Sequence, residues 1–513
     1  MMKTPWKVVL TVGVGVFLLS SCPSLSASEQ QRDVDADKCL IWGPGLIARV
    51  VLPVRYFFIQ AVDSDNQNLT DSVGDKAFSV NLYNSQTGAG VRAWIQVLDR
   101  HDGSYIVRYR LYESTKDMKV SIMYNSKHVA QSPYSLNGMV YHEKCYCPAK
   151  DITKWLKTMN CPKTYSQIEE DLSPFTTVDT DAVANSAINR FNKAGMHSLC
   201  QYRIIDNKIY RKTYGQHVGF KMFMDNILLS ITRKVTLPNM EFFTNLGDWP
   251  LEKRKISESP IPLFSWCGSN DTRDIVMPTY DVTESTLEML GRTTLDLFAV
   301  QANTGPKWEE KTQKAFWRGR DSREERLQLT VMARKHPDLI DAALTHMFFF
   351  PKNEEKYGKL VKSVSFFDFF KYKYQVNIDG TVAAYRLPYL LAGDSLVLKQ
   401  ESSYYEFFYR DLVPDVHYVP FKRDLSNLLD KLKWAKDHDD EAKEIAKNGQ
   451  EFVRQNLQPS SIFCYHVILF QKFAKLQKSA PQSADGFELV PQPDGHDAYC
   501  DCTRRKKKRK EEL

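Results

Sequence analysis

The sequence lacks a hydrophobic segment long enough to cross a membrane. An apolar run extends from Val8 to Leu19, whereas a membrane-spanning helix needs about 20 residues. Lys3 and Lys7 precede this run and small residues follow it, which is the layout of a cleavable signal peptide. We therefore predict a signal peptide at residues 1–28 and no membrane span. A buried N-terminal helix and a bacterial lipoprotein, with Cys22 as its lipid-attachment residue, are the alternatives.

Two common nucleotide-binding fingerprints are also absent. The sequence contains neither Gly-x-Gly-x-x-Gly nor Gly-x-x-x-x-Gly-Lys-Ser/Thr. Their absence weakens the case for a dinucleotide-dependent or ATP-dependent enzyme.

Zinc-like spacing of cysteine and histidine is missing as well. Cys145 and Cys147 form one Cys-x-Cys pair and Cys500 and Cys502 another, but neither pair is accompanied by histidines as in zinc sites. We favour disulfides, which an oxidising compartment allows. Nine of the ten cysteines remain after removal of a signal peptide, so at least one is unpaired or bonded to another chain.

The C-terminal end predicts retention in the endoplasmic reticulum. The last four residues differ from Lys-Asp-Glu-Leu, a retention signal, only at Glu511. With a signal peptide, this ending indicates the lumen and argues against a lipoprotein. The four residues are Lys510, Glu511, Glu512 and Leu513.

The net charge of +7 does not require a nucleic-acid partner. Residues 504–510 carry seven positive charges and the two following glutamates remove two, which leaves +2 for the rest of the chain. A basic run can mark nuclear import or nucleic-acid binding. In a lumenal protein we interpret residues 481–513 as a solvated tail that presents the retention signal. Asn68 and Asn270 begin Asn-x-Thr glycosylation patterns.

Residues 38–147 are predicted to form a β-sandwich. Val50–Val54 and Tyr56–Val62 are rich in β-branched and aromatic residues, and Phe78–Tyr83 alternates with period two. Asp102-Gly103 is a hairpin signal, and a strand with alternating apolar residues follows it. Several short strands at regular spacing are typical of an immunoglobulin-like sandwich.

Residues 148–480 are predicted to form an α/β region. Met240–Asn245 is a predicted strand that ends in a loop with Asp248. A second strand leads into an arginine-rich loop at 318–323. A third, at 376–378, is followed by Gly380 and a predicted helix at 382–391. This alternation of strands and helices is typical of doubly wound sheets.

These loops suit a nucleotide diphosphate. A glycine after a strand lets the backbone approach phosphate, and a helix N-terminus supplies N–H donors. Arginine matches phosphate oxygens with a planar fork, although most single arginines are surface ion pairs. Asp248 is a candidate catalytic carboxylate because loops on rigid scaffolds often carry such groups; a solvated turn aspartate is the alternative.

Two sets of motifs resemble known families. The β domain is similar to the filamin-type repeat, through Asp102-Gly103-Ser104-Tyr105 and residues 120–134. The α/β region resembles capsule-associated-protein-like glycosyltransferases, and the ending narrows the resemblance to the KDEL-motif-containing protein O-glucosyltransferases. The matching stretches of the α/β region are 245–250, 264–266, 317–319, 372–374, 379–386, 417–420 and 424–427.

The resemblance implies a GT-B fold with two Rossmann-like halves. It implies glucose transfer with inversion and without a metal, from UDP-glucose to a serine of folded EGF-like repeats, as in Notch-like and fibrillin-like proteins. Asp248 matches the position of the catalytic base, and the retention signal implies a retrieval receptor. The implied UDP-sugar-binding residues are Arg318, Gly319, Arg320, Arg323, Gly380, Thr381, Val382, Ala383, Ala384, Tyr385 and Arg386.

Several alternatives stay open. The site could be inactive in a lumenal client-binding protein or chaperone, and the sugar could be xylose. The filamin-type repeat could be a spacer or a binding module for the acceptor. From the resemblance we also predict that Cys145 or Cys147 is bonded to Cys464.

Overall fold

The computed structural model describes residues 33–193, 198–255, 259–287, 295–493 and Cys500. The predicted signal peptide and the retention signal lie outside these residues. No helix in the described part of the chain is long and apolar enough to cross a membrane.

The first region is a sandwich of two antiparallel sheets. One sheet has the strand order β1-β2-β5-β4, and in the other β6 lies between β3 and β8 and also pairs with β7. Buried side chains such as Phe57, Tyr105 and Val107 fill the space between the sheets. The strands are β1 (Leu40–Trp42), β2 (Arg55–Gln60), β3 (Phe78–Asn84), β4 (Ala93–Asp99), β5 (Ser104–Leu111), β6 (Thr115–Tyr124), β7 (Lys127–His128) and β8 (Tyr134–Val140).

The predicted strand at Val50–Val54 is wrong. These residues are not in a strand, and Pro53 cannot donate a hydrogen bond to a sheet. Val50 and Leu52 are buried in the main core of the α/β region. Their apolar character therefore reflects packing between two regions of the molecule, not sheet formation.

The sandwich is packed tightly against the α/β region. Tyr56, Phe58 and Ile106 of β2 and β5 belong to the core of that region, while their neighbours along the strands face the sandwich interior. The ring of Tyr56 lies 4.9 Å from that of Phe298. A buried ion pair of 2.7 Å joins Arg108 to Asp296. Both faces of β2 and β5 are thus buried.

The first lobe of the α/β region contains a six-stranded mixed sheet. Its order is β14-β12-β11-β9-β10-β21, in which β11, β12 and β14 are parallel and the others antiparallel. The elements up to the second lobe are α1 (Ile152–Thr158), α2 (Ser166–Leu172), α3 (Thr180–Phe191), β9 (Leu199–Ile205), β10 (Lys208–Tyr214), α4 (Lys221–Lys234), β11 (Met240–Asn245), β12 (Leu263–Ser265), β13 (Gly268–Ser269), β14 (Ile275–Val276) and α5 (Tyr280–Leu287).

The second lobe contains a five-stranded parallel sheet of order β16-β15-β17-β18-β20. Its elements, with the final helix and strand, are α6 (Leu297–Gln301), β15 (Thr312–Arg320), α7 (Glu324–Lys335), β16 (Ile340–His346), α8 (Glu354–Tyr357), β17 (Tyr372–Asn377), α9 (Leu387–Ala392), β18 (Leu396–Gln400), β19 (Tyr404–Tyr405), β20 (Val419–Phe421), α10 (Leu428–Asp437), α11 (Asp439–Asn456), α12 (Pro459–Leu476) and β21 (Glu488–Val490).

The strand order of this sheet reverses at β15. The chain passes from β15 to β16 on one side and then to β17 on the other. Ligands of doubly wound sheets bind at such a switch point, outside the carboxyl ends of the strands. The chain then returns to the first lobe, where β21 pairs with β10 and the Tyr465 hydroxyl of α12 donates to the Val276 carbonyl at 2.8 Å. The predicted fold class, a β-sandwich followed by a two-lobed α/β region, is confirmed.

The predicted helix at 382–391 begins too early. The helix is α9, which begins at Leu387, and residues 380–386 form a loop. Pro388 explains the late start, because proline is favoured in the first turn of a helix and clashes with a turn before it. No helix therefore begins directly after Gly380, and Arg386 is the residue that precedes α9 and does not lie inside the helix.

The predicted disulfide to Cys464 is also wrong. Cys464 of α12 is bonded to Cys161 and Cys145 to Cys500, while Cys147 is disulfide-bonded as well. Cys161 and Cys464 are paired because α12 packs against the segment after α1. A contact between such distant parts of the chain is not visible in the local sequence. Among the described residues Cys39, Cys200 and Cys267 are free and buried.

Candidate active site

A cleft of about 710 Å³ lies at the switch point of the second lobe and reaches the loop after β11 of the first lobe. Asp248 and Asp281 line it from the first lobe. Of the predicted sugar-nucleotide residues, six line the cleft: Arg318, Gly319, Arg320, Thr381, Tyr385 and Arg386. The other five are not among the residues that line it: Arg323, Gly380, Val382, Ala383 and Ala384.

The loop that carries Asp248 is held by the last residue of β11. The Asn245 side-chain amide donates to the Trp249 carbonyl at 2.6 Å, and its oxygen accepts from the Gly247 N–H at 2.8 Å. The Cys267 thiol donates to the Asp248 carbonyl at 3.4 Å. Asn245 is the last residue of the buried strand β11. The sheet therefore fixes the position of the loop and of the Asp248 carboxylate.

The Asp248 carboxylate is poorly solvated. Its Oδ1 atom is buried and has no hydrogen-bond partner among the described residues. Burial raises the pKa of Asp248, and a hydrogen bond with Tyr280 opposes this shift. The Tyr280 ring stacks on Phe223 at 4.7 Å and meets Tyr385 edge-on at 5.5 Å. An acceptor oxygen on a carboxylate in such surroundings is suited to take up a proton.

Arg386 lines the same cleft as Asp248, from the other lobe. Its Nη1 atom donates to the Arg318 carbonyl at 2.7 Å. Burial lowers the pKa of Arg386 to about 10, with Asp281 acting in the opposite direction. The guanidinium thus stays charged at neutral pH and keeps donors directed at the cleft.

Arg318 and Arg320 differ in their availability. The Arg318 guanidinium pairs with the Asp341 carboxylate at 2.7 Å and donates to two backbone carbonyls. Arg320 is exposed and makes no ion pair with any residue in the described ranges; its guanidinium lies 6.0 Å from the ring of Phe348. Of the two, Arg320 has the side chain that can move to an anion.

Arg323 and Arg326 fix the loop after β17. Arg323 donates to the carbonyls of Gly380 and Thr381 at 2.8 and 3.0 Å. Arg326 donates to the carbonyl of Asp379 at 2.7 Å and also lines the cleft. Sequence reasoning missed Arg326, because a single arginine inside a helix gives no signal that it faces the sheet and not solvent.

Positive charge is concentrated on this side of the cleft. Burial, with the nearby positive charges of Arg386, Arg323 and Arg320 and against the opposing charge of Asp379, lowers the pKa of Arg326 to about 9. We call Arg320, Arg323, Arg326 and Arg386 the arginine cluster. Mutual repulsion of this kind is relieved by an anion, and guanidinium groups match the oxygens of phosphate. The cluster can therefore hold a diphosphate.

The predicted small residues shape the loops. A Cβ atom at Gly319 would lie 2.6 Å from the Trp317 ring, and one at Gly380 would lie 2.9 Å from Arg326 Nη2. Both positions need glycine for packing inside the protein. Val382, Ala383 and Ala384 are buried.

Among the described residues, two groups of potential metal-ligand side chains lie close together, and neither includes a cleft residue. One is His142 with the disulfide-bonded pair Cys145 and Cys500, and the other is Asp75, Asp99 and His101 of the sandwich. Transfer without a metal stays a prediction.

The predicted glycan acceptors lie on the surface. Asn68 and Asn270 are both exposed, as a glycan requires. Their modification stays a prediction.

Comparisons with known proteins identify the family. A model of Glycosyl transferase family 90 matches residues 156–512, and a model of the Filamin/ABP280 repeat matches residues 33–135. Protein O-glucosyltransferase 2 of Danio rerio is 59% identical over 471 residues, which cover 92% of this chain and 94% of the relative. Protein O-glucosyltransferase 3 of Homo sapiens is 50% identical over 516 residues, with 100% of both chains covered.

A more distant relative matches the α/β region. Protein O-glucosyltransferase 1 of Mus musculus is 32% identical over 344 residues, which cover 65% of this chain and 86% of the relative. The predicted families of both regions are confirmed. The chain is a glycosyltransferase that belongs to Glycosyl transferase family 90 and carries a filamin repeat before the transferase region.

Proposed function

We propose that this protein transfers glucose from UDP-glucose to a serine hydroxyl of folded EGF-like repeats, with inversion at the anomeric carbon. The names of the relatives support protein O-glucosylation. The observation that carries the proposal is the arrangement of one cleft: a carboxylate with an unpaired buried oxygen lies on the first lobe and the arginine cluster on the second.

Asp248 is the general base in this mechanism. Its carboxylate accepts the serine proton while the serine oxygen bonds to the anomeric carbon. The bond from that carbon to the β-phosphate oxygen breaks, and its electron pair leaves with UDP. General-base help of this kind is worth about 10²–10⁴-fold.

The arginine cluster stabilises the departing UDP. Negative charge grows on the diphosphate as the bond breaks, and preorganised cations in a partly closed site stabilise such charge strongly. Arg386 and Arg320 contact the phosphate oxygens in this scheme, while Arg323 and Arg326 hold the loop that faces them. Arg323, Arg326 and Arg386 are held by hydrogen bonds before the reaction begins, so only Arg320 has to move to the diphosphate.

We place the reaction in the lumen of the endoplasmic reticulum. The predicted signal peptide and the ending Lys510–Leu513, read by a retrieval receptor, support this compartment. The bonds Cys145–Cys500 and Cys161–Cys464 fit an oxidising environment. Notch-like and fibrillin-like proteins pass through it and carry EGF-like repeats, so they are the acceptors we propose.

The test is a transfer assay read by mass spectrometry. Purified protein is incubated with a folded EGF-like repeat and either UDP-glucose or UDP-xylose. We expect the repeat to gain one hexose, and Asp248→Asn to abolish the gain. Asp338→Asn, which changes an exposed aspartate outside the cleft, is the matched control and keeps the gain.

Three other outcomes change the proposal. A pentose gain at an equal or higher rate replaces glucose with xylose. No gain on several repeats despite UDP binding points to a different acceptor. No gain and no UDP binding favours a lumenal client-binding protein with an inactive site.

A further inference from the structure

Two phenylalanines next to the cleft are unusually exposed. Phe348 and Phe349 follow β16 and are 68% and 62% exposed, the highest values among the large apolar side chains in the described ranges. Phe349 lines the same cleft as Asp248. Neighbouring exposed aromatic side chains form an apolar patch. Such patches mark interaction sites more often than single exposed apolar residues do.

The two rings are held in place by the backbone beneath them. The fully buried carboxylate of Asp321 accepts the N–H of Phe348 at 2.8 Å and the N–H groups of Phe349 and Phe350 at 2.9 Å each. Three such bonds to one charged group fix the loop strongly. The exposure of the rings is therefore built into the fold and does not come from a loose loop.

Phe348 is also supported from the side. Its ring lies parallel to the His346 ring at 5.8 Å and within 6.0 Å of the Arg320 guanidinium. Phe348 does not line the cleft itself, so it is outside the space that a sugar nucleotide would fill. A ring held at the mouth of the cleft, outside the donor space, is available to a second molecule.

The apolar rim continues around the cleft. Val364 lines the cleft and is 42% exposed, and Trp249, the residue directly after Asp248, is 46% exposed. A protein that brings a hydroxyl to Asp248 must enter through this mouth. Its surface around the modified residue then meets the rim on both sides.

We propose that Phe348 and Phe349 are the docking surface for the acceptor protein and receive an apolar side chain that the folded acceptor exposes near its modified serine. This inference rests on the proposed function. The charged donor is matched by the arginine cluster, which leaves the apolar rim for the acceptor. Aromatic side chains are favoured as binding hot spots because they bury large area at a small loss of rotamer freedom.

The test separates acceptor binding from donor binding. Steady-state transfer to a folded EGF-like repeat is measured for Phe348→Ser, for Phe348→Tyr and for Val413→Ser. Val413 is the matched control because it is 48% exposed and does not line the cleft. We expect Phe348→Ser to raise the KM for the repeat about tenfold, with the KM for UDP-glucose and the slow release of UDP without acceptor unchanged. Phe348→Tyr and the control keep the unmutated values.

Each other outcome overturns the docking surface. An unchanged KM for the repeat means that the ring does not contact the acceptor, and a parallel loss in the donor parameters means that it supports the donor site. If the unmutated protein transfers no sugar, the proposed function fails separately. The affinity of the UDP-loaded protein for the repeat is then the readout: a tenfold loss in Phe348→Ser supports docking, and no loss overturns it.

Discussion

Asp248 has few polar partners on its side of the cleft, whereas on the other side the guanidinium groups of Arg318, Arg323 and Arg326 are each held by two or more hydrogen bonds. Oδ1 of Asp248 is buried without a described partner, but Arg326 alone donates to the carbonyls of Asp379, Ile378 and Arg320. A group that must accept a proton needs an open lone pair. Groups that stabilise developing charge work best when they are already fixed. The contrast thus matches two different tasks in one transfer reaction.

Removal of the carboxylate is expected to have the largest effect. Asp248→Asn keeps the size of the side chain but cannot accept the serine proton, so the transfer rate should fall about 10²–10⁴-fold. UDP affinity should be unchanged because the arginine cluster is intact. Initial rates and UDP titration check this. A rate close to that of Asp338→Asn would remove Asp248 from the mechanism.

Loss of Arg386 is expected to affect both UDP binding and the transfer rate. Arg386→Ala removes a cation that contacts the leaving group, and the transfer rate should fall about 10²–10³-fold with weaker UDP binding. Arg386→Lys keeps a positive charge without the planar fork. Its transfer rate and UDP affinity should lie between those of Arg386→Ala and those of the unmutated protein. Arg423→Ala, an exposed arginine outside the cleft, should match the unmutated protein. Equal UDP affinity in Arg386→Ala would contradict a diphosphate contact.

Arg326→Lys tests whether the loop must be preorganised. Lysine cannot reach three carbonyls at once, so buried acceptors lose their donors, and stability should fall by about 3 kcal/mol and UDP affinity about tenfold. Thermal unfolding and UDP titration measure the two effects. A stability loss without any loss of UDP affinity would show that the loop after β17 does not contact the donor.

The acid limb of the pH profile tests the raised pKa of Asp248. Burial favours the protonated carboxyl, and the base must be deprotonated to act. The kcat/KM for the repeat should therefore begin to fall, about tenfold per pH unit, at a higher pH than an exposed aspartate would give. If kcat/KM stays constant as the pH is lowered to the usual pKa range of aspartate, the environment described for Asp248 is contradicted.

Glu406 has a raised pKa but does not line the cleft, so it tests the effect of a raised pKa on stability without an effect on transfer. Burial raises the pKa of this fully buried carboxyl from 4.5 to about 8, but it does not line the cleft. The folded protein holds a proton that the unfolded chain loses, so stability falls as pH rises between these two values, by up to about 1.4 kcal/mol per pH unit. Glu406→Gln should remove this fall and leave transfer nearly unchanged. Urea unfolding of both proteins across that range measures it.

Local sequence signals predicted parts of the site and missed others for physical reasons. Met240–Asn245 is a buried strand followed by a tight loop, and its pattern was enough to locate Asp248. Pro388 carried a usable signal, the late start of α9, that the interpretation of 382–391 as helix did not weigh. The pairing of Arg318 with Asp341 depends on the parallel register of β15 and β16, which no local pattern reveals.

Packing between regions was the other hidden factor. Val50 and Leu52 have strand-like composition, but their burial comes from the α/β region. The cysteine pairs could not be assigned from spacing because many connectivities are possible. The exposure of Phe348 and Phe349 could not be predicted either, because a run of apolar residues normally indicates a buried segment. The hydrogen bonds from the backbone of these residues to Asp321, which hold the rings outward, are visible only in the structure.

The central claim is that the acceptor is activated on one side of the cleft while the leaving group is held on the other. The anomeric configuration of the product tests this most directly, and the H1–H2 coupling of the transferred glucose in an NMR spectrum reports it. Attack from the Asp248 side on the α-linked donor predicts a β-glucoside, with a large coupling. An α-glucoside, with a small coupling, would mean that serine approaches from the side of the leaving group and would contradict the account.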